Sequence, residues 1–317
     1  MRILFISSNR IGDAVLTTGL LAWLEAAHPK ARFTIVCGPV AADLFRAVPR
    51  LERLIVLKKK KYHGHWFDLW QQCIGTRWDL IVDLRNSLVA RLLLAQRKAY
   101  KPAQPSGRHK VEDLASLLNL SPPPAPRLWL DKTAKLRAEA LIPSGLTQPL
   151  LALAPAANWP PKQWPIECFI ELAKKLTAEG EPLAEAKLLI VAAPHEREQL
   201  LPLLNAFPAG RIIDAIGNDL LTVAACLQKA RLFIGNDSGL MHIAAAMGTP
   251  TLGLFGPGHE NIYGPWGEKT AIVRTPESAS ELFARLPYAG AFAPLLMGSL
   301  TVAAVYDAAQ GLIKKDG

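Results

Sequence analysis

The sequence has no apolar run long enough to cross a bilayer, although half of its 317 residues are hydrophobic. A membrane-spanning helix needs roughly 18 to 20 consecutive apolar residues. The apolar part of the opening segment MRILFISSNR is also too short for a signal peptide. The hydrophobic residues are therefore expected to fill the cores of a cytoplasmic protein, and the length allows two ordinary domains.

Cysteine is scarce, and metal-binding patterns are missing. The four cysteines are widely spaced with no CxxC pair, which is typical of reduced, buried thiols rather than a disulfide framework. His195 and Glu196 lack the second histidine of a zinc-protease helix, and no Asp-x-Asp pair is present to hold a metal diphosphate. We therefore expect neither a bound metal nor a cofactor.

Acidic residues are few in the first half of the chain. Residues 1–149 contain 23 Lys and Arg against 11 Asp and Glu, a net charge of +12, whereas residues 150–317 carry a net charge of −3. A positive electrostatic field of this kind favours binding to nucleic acid, to an anionic membrane surface or to a phosphorylated lipid. Its densest cluster, Lys58 to Lys61, precedes Tyr62, His65 and Trp66. A solvated loop kept soluble by its charge is the alternative interpretation of that cluster.

The stretch from Arg231 to Pro257, RLFIGNDSGLMHIAAAMGTPTLGLFGP, predicts a strand, a tight turn, a helix and a second strand. Its polar and glycine residues are concentrated where strand becomes helix, which is where open α/β sheets bind ligands. Backbone amides at the start of the Ser238 helix, helped by the helix dipole, would favour an anion. We interpret the stretch as an anion pocket for a diphosphate.

The side chains of this turn are two hydrogen-bonding groups and one acid. Ser238 offers a hydroxyl, and His242, one turn on, points back toward the same end of the helix. Asp237 would repel a phosphate, so we expect it either to hold the turn or to accept hydrogen bonds from hydroxyls of a bound sugar. The alternative is that Asp237 or Ser238 only caps the helix.

Strands and helices alternate in both halves of the chain, which predicts two parallel, doubly wound sheets. In the first half, the strand Ile3 to Ile6 leads through a polar turn into a helix, Ala14 to Ala27. Asp13 lies at that junction, where a carboxylate either caps the helix or faces the cleft as a general base for a ligand hydroxyl. A later strand of this half ends at Arg85.

The second half begins after Ile142 to Pro149, a segment with Pro, Ser and Gly across which the charge balance changes sign. Lys162 lies in the loop after its first strand, where an ammonium could neutralise a phosphate or simply be exposed. Glu196 follows the next strand, where a carboxylate can accept hydrogen bonds from ribose hydroxyls or base nitrogens. We expect ligands to bind in the cleft between the two domains.

Four segments, taken together and in this order, resemble glycosyltransferase family 9, the lipopolysaccharide heptosyltransferases. They are SSNRIGDAVLTTGLL from Ser7, KQWP from Lys162, APHERE from Ala193 and GNDSGLMHIAAAMGTPTLGLFGP from Gly235. A further segment, MGSLTVAAVYDAAQGLI from Met297, is similar to the family's closing helix.

The resemblance implies a GT-B fold, in which two doubly wound Rossmann-like domains have a cleft between them. Residues 1–148 would form the N-terminal acceptor-binding domain. Residues 149–298 would form the C-terminal nucleotide-sugar-binding domain. The terminal helix, within residues 299–317, would pack back on the N-terminal domain.

The implied reaction is the inverting transfer of a heptose from ADP-L-glycero-D-manno-heptose to the phosphorylated inner core, Kdo-lipid A, of lipopolysaccharide, with Asp13 as the general base. Lys162 would contact the diphosphate and Glu196 the nucleoside, and Asn218 would line the nucleotide pocket. The residues matched to the rest of the donor site are Asp237, Ser238, Gly239 and His242, with Ala157 and Asn158 in the phosphate-binding loop. The residues expected to bind the acceptor are Arg10, Gly12, Lys58, Lys59, Lys60, Lys61 and Arg85.

The sequence departs from the family pattern at several positions. Gly19 stands in place of a common proline, Gln163 in place of a common arginine, and Gly258 where threonine is frequent. Ala156 replaces a glycine, and Ser238 replaces the more usual threonine. A glycosyltransferase with the same fold but another nucleotide sugar or acceptor glycan therefore stays an alternative.

A non-catalytic binder of anionic lipid or nucleic acid is the alternative from a different class. The +12 charge of the first half supports it, and it predicts salt-dependent binding without any dependence on nucleotide. On the glycosyltransferase interpretation we expect a monomer that does not bind nucleic acid. We expect that monomer to contact the anionic cytoplasmic face of the inner membrane peripherally.

Overall fold

The computed structural model describes residues 1–101, 106–286 and 293–316. The chain divides into two compact units, Met1–Asp131 and Lys132–Gly317. Within the described ranges, no helix combines the length and the apolar character needed to span a membrane.

The first unit is built on a five-stranded parallel sheet with the strand order β3-β2-β1-β4-β5. Short 3₁₀ segments lie at Pro39–Phe45 and Lys61–His63. The strands and helices are β1 (Arg2–Ile6), α1 (Ile11–Ala27), β2 (Arg32–Cys37), β3 (Leu51–Val56), α2 (Gly64–Cys73), β4 (Trp78–Asp83), α3 (Leu88–Leu92), β5 (Ala95–Tyr100) and α4 (Lys110–Ser116).

The second unit is built on a six-stranded parallel sheet with the strand order β11-β10-β9-β6-β7-β8. Its elements are α5 (Lys132–Leu141), β6 (Leu150–Ala154), α6 (Ile166–Leu176), β7 (Lys187–Ile190), α7 (Leu201–Asn205), β8 (Ile212–Asp214), α8 (Leu220–Leu227), β9 (Leu232–Asn236), α9 (Gly239–Ala246), β10 (Thr251–Phe255), α10 (Glu260–Tyr263), β11 (Thr270–Arg274), α11 (Ala279–Ala284) and α12 (Val302–Asp316).

The central strands of both sheets are buried along almost their whole length. In β1, all residues after Arg2 are buried, and every residue of β6, β9 and β10 is buried. Strands of a parallel sheet that is covered on both faces are read as continuous apolar runs rather than as alternating patterns. The apolar runs in the sequence therefore predicted the positions of these strands to within a few residues.

Helix α1 begins at Ile11, three residues before its predicted start, so Asp13 lies in its first turn. Glycine at position 19 allows a close approach to this helix, because a Cβ added there would overlap the carbonyl oxygen of Pro124. The adjoining backbone is held as well, since the Arg127 amide donates to the Thr18 hydroxyl over 3.0 Å. The departure from the family's proline at position 19 thus has a packing reason in this chain.

The unit boundary lies between Asp131 and Lys132, 17 positions before the predicted one. Helix α5 belongs to the second unit because its small face, Ala134 and Ala138, is buried where it packs on α8. Arg137 of α5 also forms an ion pair with Asp219, at the start of α8, over 3.0 Å.

The terminal helix α12 packs on α6 and on β10 and β11 of the second unit. Its apolar face is buried in that unit's core through Val305, Ala309, Leu312 and Ile313. The Tyr306 hydroxyl donates to the Glu181 carboxylate over 2.7 Å. We predicted this helix against the first domain, whereas these contacts belong to the second unit.

All four cysteines are free thiols, and Cys37, Cys73 and Cys226 are buried while Cys168 is half-buried. Burial raises the pKa of Cys37 to about 12 and that of Cys73 to about 11. It likewise raises the pKa of Cys226 to about 11. These thiols are therefore protonated at neutral pH and are weak nucleophiles.

Candidate functional site

The residues predicted to bind the donor lie along the carboxyl edge of the second sheet. Strand β6 has β9 on one side and β7 on the other, so the connections leaving these strands diverge and open a crevice for a ligand. The predicted residues follow the ends of four strands: Ala157, Asn158 and Lys162 after β6, Glu196 after β7, Asn218 after β8, and Asp237, Ser238, Gly239 and His242 after β9.

A buried asparagine holds the lysine-bearing loop against the end of β9. Asn236 is fully buried, and its amide donates to the carbonyl of Pro155 over 2.6 Å. Its side-chain oxygen accepts a hydrogen bond from the backbone amide of Trp164 over 3.1 Å. Both ends of the loop that contains Lys162 are thereby tied to the strand that precedes Asp237.

Lys162 and Asp237 form an ion pair within this edge. The Lys162 side chain is 26% exposed and the Asp237 side chain only 8% exposed, so little solvent screens the pair. The pair has room because residue 258 is glycine, since an added Cβ would overlap the Asp237 carboxylate. Asp237 is therefore not a helix cap but the partner of the predicted phosphate-binding lysine.

The start of α9 has the features of an anion site. Ser238 is the N-cap residue, but its side chain makes no capping hydrogen bond. Its hydroxyl oxygen is buried without a hydrogen-bond partner among the described residues. His242 is buried one turn further on. Because the first amides of a helix have no partner inside the helix, a ligand at this end can accept hydrogen bonds from backbone and hydroxyl together.

The loops after β7 and β8 meet at the predicted nucleoside end. Glu196 accepts a hydrogen bond from the Ala193 amide over 2.8 Å and so closes the turn after β7. Gly217 donates its amide to the carbonyl of Ala192 over 3.0 Å, which places Asn218 beside that turn. Both Glu196 and Asn218 are half-buried.

The loop after β6, which is predicted to bind phosphate, is held by a hydrogen bond to its own backbone. Ala157 is buried, and its carbonyl accepts from the Gln163 side-chain amide over 2.6 Å. Asn158, the next residue, is exposed. This hydrogen bond from Gln163 therefore restrains the conformation of the loop.

The first sheet has its own ligand edge, at the ends of β1 and β4. Strand β1 lies between β2 and β4, so the connections diverge there too. Arg10, Gly12 and Asp13 follow β1, and Arg85 follows β4. The N-cap of α1 is Arg10, which makes no side-chain capping hydrogen bond.

Arg85 is fixed by the turn that ends β4. The fully buried Asp83 carboxylate accepts hydrogen bonds from the Arg85 amide over 2.9 Å and from the Ser87 amide over 2.6 Å. The guanidinium lies 4.6 Å from the ring centre of Trp66. Burial lowers the pKa of Arg85, and Asp83 opposes that shift.

Two lysines that are not among the predicted site residues lie at this edge, and one of them, Lys110, is close enough to Asp13 for the carboxylate to oppose the lowering of its pKa. Lys101 follows β5, and its amide donates to the carbonyl of Asp83 over 3.0 Å. Lys110 opens α4, which packs on α1. Burial and the neighbouring Lys101 together lower the pKa of Lys110, while Asp13 and Asp113 raise it.

The closeness of these two lysines suits the binding of an anion. Two ammonium groups that lie close together repel each other, and an anion bound beside them would offset that repulsion. No sequence pattern links positions 101 and 110, because their approach depends on how α4 returns to the sheet edge.

The lysine run lies further along the same edge, after β3. Lys58, Lys59, Lys60 and Lys61 are all exposed, and Lys60 pairs with Asp68 over 2.6 Å. Within the part of the chain that the structure describes, no group of three or more His, Cys, Asp and Glu side chains could hold a metal ion.

Comparison with known proteins identifies one family. The family model described as glycosyltransferase family 9 (heptosyltransferase) matches residues 84–288. The chain is 33% identical over 311 residues to lipopolysaccharide heptosyltransferase 2 of Escherichia coli strain K12, covering 86% of this chain and 88% of that protein.

Solved structures agree with the fold. A glycosyl transferase family 9 protein from Veillonella parvula matches with a TM-score of 0.79 and 21% identity, over 99% of this chain and 97% of that one. The E. coli heptosyltransferase WaaC with ADP matches with a TM-score of 0.71 and 20% identity over the full length of both chains. The predicted GT-B class, with two doubly wound α/β units, is confirmed.

Proposed function

The chain belongs to glycosyltransferase family 9, the heptosyltransferases, and on that premise we propose that it transfers a heptose from ADP-L-glycero-D-manno-heptose to the phosphorylated Kdo-lipid A inner core of lipopolysaccharide. Family membership argues against a non-catalytic binding protein. The observation that supports a sugar-diphosphate donor is the Lys162–Asp237 pair beside the uncapped start of α9. WaaC, which shares the fold, has been solved with ADP and with ADP-2-deoxy-2-fluoro heptose.

The donor site supplies charge stabilisation for the leaving group. We propose that Lys162, the Ser238 hydroxyl and the first amides of α9 bind the diphosphate and stabilise the charge that develops on ADP. Asp237 then accepts hydrogen bonds from sugar hydroxyls, in keeping with its position beside Lys162. Glu196 and Asn218 hold the nucleoside end.

The acceptor is deprotonated by Asp13 as it attacks. The acceptor hydroxyl oxygen forms a bond to the anomeric carbon, and its proton passes to the Asp13 carboxylate. The bond from that carbon to the phosphate oxygen breaks, and its electron pair leaves with ADP. Displacement from the opposite face inverts the anomeric centre.

Cationic groups around Asp13 orient the acceptor. Arg10 and Gly12 are close to Asp13 in the chain, and Lys110, with Lys101 beside it, is close enough in the fold for Asp13 to oppose the lowering of its pKa. Phosphate or carboxylate groups of the inner core would occupy the space between the two lysines. We propose that the protein works as a monomer at the cytoplasmic face of the inner membrane, where the excess of positive charge in residues 1–149 favours anionic lipid.

The donor is tested by calorimetric titration with ADP, UDP and GDP in parallel, without added metal. Preferential binding of ADP is the expected result. Preference for UDP or GDP would be consistent with the family but would mean that the donor is a different nucleotide sugar. Absence of binding for all three at millimolar concentration would contradict the proposed donor site.

The base is tested with Asp13→Asn, which keeps the shape of the side chain but cannot take the proton. Transfer should fall by about 10²–10⁴-fold, while the ADP dissociation constant stays within about twofold of wild type. Retained turnover would remove Asp13 as the base. Analysis of the product's anomeric configuration checks inversion.

A further inference from the structure

An apolar groove lies between α2 and α3 of the first unit, outside the donor and base residues discussed above. Its cavity volume is about 660 Å³. Helix α2 contributes Trp66, Phe67 and Trp70, helix α3 contributes Leu88 and Leu92, and Arg85 lies among them. The ring centres of Phe67 and Trp70 are 5.8 Å apart in a stacked pair, so this wall is already formed.

The groove leaves large apolar side chains in contact with water. Phe67 is 59% exposed, Leu88 69% and Leu92 61%. Adjacent exposed apolar side chains on a soluble unit mark a surface that is covered by a partner. Aromatic side chains at the boundary between apolar and polar surroundings are also typical of contacts with membrane interfaces.

Arg85 gives the groove a polar end. One guanidinium nitrogen of Arg85 is buried with no hydrogen-bond partner among the described residues. The nearest acid, Asp83, is engaged by the amides of Arg85 and Ser87 and by the Ser87 hydroxyl. A buried donor without an acceptor is unfavourable, so this end suits a ligand with a phosphate or carbonyl oxygen.

Exposed cationic residues adjoin the groove residues in the chain. Lys58, Lys59 and Lys61 are exposed on the segment that leads directly into α2, and Arg91 is exposed on α3 beside Leu92. Exposed Lys and Arg next to an apolar surface attract anionic lipid headgroups, at about 1 kcal/mol for each residue near the surface. The charge therefore favours an anionic lipid surface over a neutral one.

We propose that the α2–α3 groove docks the protein on an anionic bilayer, with acyl chains against its aromatic and leucine walls and a lipid phosphate near Arg85. The inference deepens the proposed function, on which it rests only for the lipid-linked acceptor. Binding to the bilayer itself requires neither donor nor transfer. The groove would thus hold the enzyme where a membrane-embedded acceptor is found.

The first experiment measures binding to vesicles by co-sedimentation. The groove variant is Phe67→Ser/Leu88→Ser/Leu92→Ser, whose positions are exposed, so the substitutions spare the core. The matched control is Leu136→Ser/Leu201→Ser, at positions 55% and 45% exposed in the second unit. Vesicles contain phosphatidylglycerol with phosphatidylethanolamine, or phosphatidylcholine alone.

Wild type should bind the phosphatidylglycerol vesicles and bind phosphatidylcholine vesicles at least tenfold more weakly. The groove variant should lose tenfold or more of its binding to the anionic vesicles, and the control variant less than twofold. An equal loss in both variants, or no loss in the groove variant, would overturn the proposal. Equal melting temperatures and ADP affinities establish that both variants are folded.

Quenching by brominated acyl chains tests depth rather than affinity. Trp66 and Trp70 both line the groove, so phosphatidylglycerol with bromines on its chains should quench part of the tryptophan fluorescence, and Trp66→Phe/Trp70→Phe should remove that part. No quenching in wild type at saturating lipid would contradict insertion and would favour a protein partner for the groove.

The consequence for catalysis is tested with two acceptors, one acylated in vesicles and one deacylated and soluble. The groove variant should raise KM at least tenfold for the acylated acceptor and leave kinetics with the soluble one unchanged. An equal rise for both would refute a role for the groove in lipid docking. Absence of transfer by wild type with either acceptor would refute the proposed function, while the vesicle and quenching results would still decide the groove.

Discussion

Removing the ammonium of Lys162 is the sharpest perturbation of the donor site. In Lys162→Ala, the diphosphate loses one charged hydrogen-bond donor, and Asp237 loses the partner that neutralises it. The Asp237 carboxylate then faces the bound phosphate without compensation. ADP binding should therefore weaken for two separate reasons, whereas adenosine, which has no phosphate, should bind as before.

The magnitude follows from the two effects. Loss of a charge-assisted hydrogen bond is worth about 1.5–3 kcal/mol. Repulsion between two charges about 4 Å apart is about 1 kcal/mol in water and about 4 kcal/mol at the effective dielectric of a protein surface. Because Asp237 is only 8% exposed, we expect the two effects to weaken ADP by about 3–5 kcal/mol, or roughly 150- to 5,000-fold.

Calorimetry separates the two effects with a second variant. Lys162→Ala/Asp237→Asn removes the repulsion as well as the donor, so it should bind ADP at least about tenfold more tightly than Lys162→Ala alone. Lys174→Ala, at an exposed position on α6, is the control and should leave the dissociation constant unchanged.

The outcome can contradict the reasoning in two ways. An equal loss of affinity for ADP and adenosine would mean that Lys162 does not contact the diphosphate. Failure of the double variant to recover affinity would mean that Asp237 does not face it. Asp237→Asn alone should weaken the nucleotide sugar more than ADP, since only the sugar offers hydroxyls to the carboxylate.

Three further results are expected. Lys110→Ala should raise KM for a soluble phosphorylated acceptor about 10- to 100-fold with kcat nearly unchanged, and an unchanged KM in steady-state assays would remove the lysine pair from acceptor binding. Gly19→Ala should lower the melting temperature, because overpacking costs about 1–3 kcal/mol, whereas the control Gly311→Ala, exposed on α12 with open space around its Cβ position, should not lower it. Burial raises the pKa of the Cys37 thiol from 9.0 to about 12. The stabilisation linked to this shift is therefore fully present below pH 9 and is lost as the pH rises toward 12. Wild type should therefore lose about 1.4 kcal/mol relative to Cys37→Ala between pH 8 and pH 10, and equal pH profiles in denaturant unfolding would contradict the burial effect.

Local patterns in the sequence predicted the arrangement of strand, turn and helix at the proposed donor edge. The strand, turn and helix around Asp237 are consecutive in the chain, and the rule for ligand edges in parallel sheets places several such turns together. The pairing of Lys162 with Asp237 was beyond prediction, because the residues are 75 positions apart and meet only through the adjacency of β6 and β9. The sequence therefore left the role of Asp237 open between cap, turn and sugar contact.

Long-range packing explains why the structure differs from the predictions for the terminal helix and for the boundary between the two units. The sequence of α12 shows an apolar face, but such a face could pack on either unit. In the structure, Val305 and its neighbours on that face are buried in the core of the second unit. The change of charge sign near residue 149 was also a poor marker of the boundary. Helix α5, with its basic residues, belongs to the second unit because Ala134 and Ala138 are buried where it packs on α8.

The two proposed ligand edges differ in how far their lysines are already neutralised by carboxylates. We therefore predict that ADP binding and acceptor binding differ in their dependence on salt. At the donor edge, Lys162 already has an anionic partner in Asp237, so ADP exchanges one anion for another. At the predicted acceptor edge, Lys101 is close enough to Lys110 to lower its pKa, and the exposed lysine run follows β3 of the same sheet, so lysines outnumber the nearby carboxylates and an acceptor phosphate meets an excess of positive charge.

Salt screens exposed charges over about 10 Å at 0.1 M ionic strength. Affinity for a soluble phosphorylated acceptor should therefore fall more steeply between 50 and 500 mM NaCl than affinity for ADP, when both are measured by calorimetry. Lys110→Ala should flatten the acceptor's salt dependence and leave that of ADP unchanged. A slope for ADP as steep as that for the acceptor would refute this division, because it would mean that the Lys162–Asp237 pair does not neutralise the donor edge before the diphosphate arrives.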